Sequence, residues 1–164
     1  MQTQVDNSEG RRRQKKSGVE VIDRSDVEPM SLVRWAKDSS CVVIARITPQ
    51  VSVVSSRGPG HPGSRDFYTE HGPTTCCEAD SVIFWDLGGL LSTDLGVVGI
   101  CVGVGKNNRH NIAAVHMYYD SPMVGMAVTV ANVALRGLIH FHREPQPFFE
   151  AFDRVVAHNA IGLA

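Results

Sequence analysis

The chain has 164 residues and lacks any uninterrupted apolar run of the ~18 residues needed to cross a bilayer, because charged or polar residues break every hydrophobic stretch. Its first residues are polar and carry no apolar core segment, so no signal peptide is expected. An excess of charge is also missing. Lys and Arg number 16 against 17 Asp and Glu, a net charge of -1, which removes any global argument for nucleic acid as a partner. Cysteine is sparse, with Cys41, Cys76, Cys77 and Cys101 alone, and without a secretory signal these read as reduced thiols. Neither a CxxC pair nor a helical His pair occurs, so neither metal nor cofactor is expected. The expected location is the cytoplasm, or outside the cell by a route that uses no cleaved signal.

What is present is the composition of an ordinary globular domain, 43% apolar and 20% charged. Residues 1–27 hold few apolar side chains to offset the cost of ordering and read as a flexible arm. The basic run Arg11-Arg12-Arg13-Gln14-Lys15-Lys16 within it is offset by nearby Asp and Glu. Residues 28–164 read as one domain. Pro29 opens a predicted helix over Met30 to Lys37, and the β-branched runs at 41–47, 51–55 and 81–86 predict strands. Between Arg57 and Pro73, Gly and Pro are dense enough to predict a long loop. Ser121 as cap and Pro122 at the first position start a predicted amphipathic helix over Met123 to Leu138. Residues 138–142 alternate as a strand, and Phe148 to Val156 lay out a final helix.

The stretch Asp94 to Asp120 carries the sharpest chemical suggestion. Cys101 lies in one apolar run and His116 in the next, with Lys106-Asn107-Asn108-Arg109 between them, which reads as an antiparallel hairpin. Facing residues of such strands touch, so the imidazole could take the thiol's proton and return it to a leaving ammonia. The glycines around Cys101 leave room for an amide substrate and let main-chain N–H groups face an oxyanion. Buried Cys and hydrogen-bonded core His explain the same residues without catalysis.

The order Gly99-Ile100-Cys101, apolar strand, turn, apolar strand with His116, then Pro122 and a helix resembles the glutamine deamidase fold shared by the cytotoxic necrotizing factor catalytic domain and CheD. The resemblance implies Cys101 as nucleophile, His116 as base, and a glutamine-bearing protein as substrate, as for an effector or toxin acting on a host protein. Gly99 and Ile100 would then contribute to the oxyanion site, and Ser92 and Thr93 are the nearest hydroxyls for orienting the base. His61, Arg65, Tyr68 and His71, in the long loop, are candidates for a substrate rim. His140 and His142 share one strand face, a spacing that can chelate a metal, but no third ligand is evident.

The expected fold is α/β, a mixed or antiparallel β-sandwich core with helices packed outside. The expected function is a Cys–His protein glutamine deamidase. The alternative is a non-enzymatic protein-interaction module in which Cys101 and His116 are structural.

Overall fold

A computed structural model describes residues 17–161 of the chain. A short helix, α1 (Glu20–Ser25), precedes three strands joined as an antiparallel meander, β1 (Ser31–Lys37), β2 (Ser40–Arg46) and β3 (Val51–Arg57). Helices and strands then alternate as α2 (Arg65–His71), β4 (Ser81–Leu87), α3 (Leu95–Asn107), β5 (Ile112–Tyr119), α4 (Pro122–Ala134), β6 (Ile139–His142) and α5 (Pro145–Ile161). All six strands share one sheet in sequence order, parallel from β3 to β6. The fold is thus a mixed α/β domain with one six-stranded sheet. The expected sandwich of two sheets is corrected, because a helix follows each of β3, β4 and β5 and allows the parallel pairing that consecutive hairpins cannot make.

Three local expectations change with it. Met30 to Lys37, expected as a helix, contains β1, whose Val33 and Trp35 are half-buried among exposed neighbours. Lys37 pairs with Ser40 across the two-residue turn Asp38-Ser39, with Asp38 at a φ of 53°, so hairpin pairing decides the conformation. The expected loop 57–73 is irregular only through its Gly- and Pro-rich first half. Pro62–Ser64 forms a 3-10 turn, and the Gly- and Pro-free segment after it continues as α2. The expected strand around Cys101 is α3, started by Asp94, whose Oδ1 accepts a hydrogen bond from the Val97 N–H at 3.0 Å.

The sheet is covered on both faces. On one, Ile44, Val54, Ile83, Val115 and Met117 meet α2, α3 and α4 through residues such as Tyr68, Val124 and Leu135. On the other, Val43, Val53 and Phe84 meet α1 and α5 through Val21, Ile22, Phe148 and Phe152. Of the expected flexible arm 1–27, residues 1–16 lie outside the described residues. Val19, Val21 and Ile22 are buried in this second core, so the packed part of the chain begins earlier than expected.

Phe84 is fully buried between the ring of His116, stacked at 4.8 Å, and the edges of Phe148 and Phe152 at 5.7 and 5.3 Å. Phe84→Ala should therefore lower the unfolding free energy by about 3–5 kcal/mol, measured by denaturant titration. Val130→Ser, on the exposed side of α4, should change it by about 0.5 kcal/mol or less.

Candidate functional site at the carboxyl edge of the sheet

Strands β3, β4 and β5 all end at the same edge, where the loops leading to α2, α3 and α4 gather. The loops after β3 and β4 are zipped together by backbone bonds: the Gly58 N–H donates to Gly89 O and the Leu91 N–H to Gly58 O, both at 2.9 Å. Gly58 has a φ of +79° and sits where a side chain would strike the Ser39 carbonyl. At Gly60 a Cβ would lie 2.5 Å from the Asp94 N, and its own N–H donates to Ser92 Oγ at 3.1 Å. Arg65 closes the joint with two hydrogen bonds to the Asp94 carboxylate, at 2.8 and 2.9 Å. This paired guanidinium holds the Asp94 carboxyl below its ordinary range.

Around this joint the surface is apolar. Leu91 and Leu95 flank Ser92-Thr93-Asp94, and Leu95 is 80% exposed. The Ser121 hydroxyl donates to Leu91 O at 3.4 Å, which sets the start of α4 beside them. Helix α4 turns Val124, Val128 and Ala131 inward, yet its outer side is apolar as well, with Met123, Met126, Val130 and Val133 all exposed. Asn132 of α4 accepts from the Ile139 N–H at 2.9 Å and anchors β6.

Beneath the same edge lies a cavity of about 130 Å³ between the sheet and α2, α3 and α4. Cys101, Ser92, Thr93, His61 and Tyr68 all border it. Tyr68 is buried with its hydroxyl 2.6 Å from Ser56 Oγ, and His61 holds a turn through a hydrogen bond from the Gly63 N–H to its Nδ1 at 2.9 Å. Ile100 packs against the core while Gly99 faces solvent, and the His71 ring lies tilted against Phe67 with centroids 4.8 Å apart.

His116 is not among these residues. Its neighbours Val115 and Met117 face α3 and α4, so the alternation of the strand turns His116 to the opposite face, against Phe84. The sheet therefore separates the imidazole from the Cys101 thiol, and the hairpin that was to join them does not form. Burial pushes the Cys101 thiol up to about 12, the reverse of an activated nucleophile. His116 instead pairs with His142, Nδ1 to Nε2 at 3.0 Å, and stacks with His140 at 5.2 Å. Burial, then His142, His140 and Arg154, depress it to about 4. Among the described residues no group of three or more His, Cys, Asp or Glu could hold a metal.

No family model matches the sequence, and no curated protein matches it either. A solved structure does, described as the anti-sigma factor antagonist SpoIIAA in its unphosphorylated form. The chain has the SpoIIAA fold. The TM-score is 0.53 at 18% identity, over 70% of this chain and 95% of that one. This likeness overturns the deamidase resemblance, and the hydrolase, effector and toxin readings fall with it. No helix among the described residues is long and apolar enough to cross a membrane.

Two measurements check this site. At pH 8 a thiol titrating near 12 is about one part in ten thousand thiolate, so iodoacetamide should alkylate the exposed Cys77 well before Cys101 in the native protein. Denaturant should abolish the difference. Because His116 is depressed in the folded state, its contribution to stability is complete above the ordinary 6.5 and is lost as pH falls toward about 4. The denaturation midpoint should drop across that window, and His116→Phe should flatten the drop.

Proposed function

We propose that the chain is a non-enzymatic protein-interaction module that docks a protein partner on the apolar edge formed by α4 and the start of α3. The observation that carries this reading is the outer side of α4, where Met126, Val130 and Val133 are 67, 68 and 77% exposed, with the exposed Leu91 held at the start of that helix by the Ser121 hydroxyl. Contiguous exposed apolar surface of this kind marks interaction sites. Methionines on such a surface adapt their shape to a partner. The partner-binding role of SpoIIAA, an anti-sigma factor antagonist, agrees with it.

Ser92 and Thr93 lie between the two exposed leucines. A phosphoryl group on Thr93 would bring roughly two negative charges beside Asp94 and compete for Arg65, disturbing the joint that holds the edge in shape. The state of this segment would then set whether the partner docks.

A photo-crosslinking amino acid at Val130, introduced in the protein's own cells, should capture a discrete protein. Val133→Asp should abolish that capture and weaken binding of the purified partner about tenfold or more, as for a central apolar contact, with the melting temperature unchanged. Thr93→Glu should weaken it as well. Crosslinking only to a second copy of the chain, or undiminished capture by Val133→Asp, would overturn the reading.

A further inference from the structure

The cavity under α3 has the character of a small-molecule site distinct from the docking edge. Across its 13 residues α3 has one buried residue, Gly105; Val97, Cys101 and Val104 turn toward the sheet and line the cavity without being sealed against it. The facing walls come from Val54, Ile83 and Val115 on the sheet and from Val128, Ala131 and Leu135 nearby. At about 130 Å³ the space is close to the ~150 Å³ apolar cavity that holds benzene in another protein. Its lining includes exposed Pro59 and the half-buried rings of Trp35 and His61, 5.5 Å apart, so it reaches the surface at that end.

The polar groups within it define what it can hold. Ser56 and Tyr68 share one hydrogen bond, and two hydroxyls bonded to each other keep one hydrogen to donate onward. The charged side chains along the lining are already matched, Asp94 by Arg65 at 2.8 Å and Arg57 by Asp86 at 3.6 Å. A charged ligand group would lose its hydration among aliphatic walls with no free partner to replace it.

We infer that this cavity binds a neutral, mostly hydrocarbon small molecule about the size of one substituted aromatic ring, with a single acceptor oxygen that takes the hydrogen from the Ser56–Tyr68 pair. Such a ligand fills the space between α3 and the sheet and gains the dispersion contacts that the lining residues do not make with one another. Aromatic ring size follows from the volume, neutrality from the walls, and the oxygen from the hydroxyl pair. The cavity lies on the inner side of α4 and the docking surface on its outer side, and ligand binding is measured on the chain with no partner present.

The test titrates acetophenone, the probe with one ring and one carbonyl, into the full chain carrying labelled Val and Leu methyl groups, and follows them by NMR. Saturable shifts are expected at Val104, Val128 and Leu135, with Val51 and Val53 on the opposite face unmoved. Benzoate, of similar shape but charged, should give none. Ala131→Phe fills the cavity from α4 and should weaken acetophenone binding about tenfold or more, since the ring takes the ligand's contacts. Ala127→Leu is the milder variant should the first fail to fold, and both are scored only with a cooperative melting transition. Tyr68→Phe should weaken acetophenone but leave toluene unchanged. No saturable shift in the wild-type protein, equal shifts on both faces of the sheet, or full binding by a folded filled variant would overturn the inference.

Discussion

The handedness of parallel crossovers is the constraint on which this architecture depends. Strands β3 to β6 run parallel and lie in the sheet in the order they occur in the chain. A parallel connection is right-handed in nearly all proteins, so three steps in the same direction place α2, α3 and α4 on one face. The other face is left to whatever the chain supplies at its two ends. Here that is α1 and α5, whose Val21, Ile22, Phe148 and Phe152 close the second core. The two faces are thus built from different material, local crossovers on one side and chain ends brought together on the other.

That division accounts for the difference in packing. The face under α5 is dominated by large rings that interlock edge to face around Phe84, with Arg24 laid over Phe149 at 4.3 Å. On the other face α3 turns Val97, Cys101, Val104 and Gly105 toward the larger Ile83 and Met117 of the sheet, and these smaller side chains leave a cavity of about 130 Å³. The carboxyl edge sits above this looser face, and its shape is fixed by backbone bonds and the Arg65–Asp94 pair rather than by a packed core. Parallel sheets commonly place their binding groups at that edge, because the loops leaving the strands converge there.

Much of the sheet was legible in the sequence. The β-branched runs at 41–47, 51–55 and 81–86 are strands because their side chains are buried on both faces, and continuous apolar runs of strand length report that directly. The helix after Ser121-Pro122 was legible from its capping residues, and α5 from its phenylalanines. β1 was not, because an edge strand with one partner and much solvent has a weak apolar alternation, and Pro29 before it imitates a helix start. α3 was misread for a different reason. Its valines favour a strand and its glycines weaken a helix locally, while the spacing of Val97, Cys101 and Val104 and the capping Asp94 carried the helical signal. The Cys101–His116 pairing failed with it, since it required two strands where one is a helix, and ignored that Val115 and His116 must face opposite ways. Proximity of Ser92, Tyr68 and Cys101 around one cavity could not be read at all, because it arises from the crossovers and not from spacing along the chain.

The unfilled volume under α3 also has a mechanical consequence. Internal voids are eliminated when a chain unfolds into water, so the unfolded form occupies less total volume and hydrostatic pressure favours it. In this protein a cavity of about 130 Å³, open at one end, lies between the sheet and α3. Compression would therefore act unevenly, loosening the α3 layer from the strands while the interlocked rings beneath α5 still hold the opposite side together.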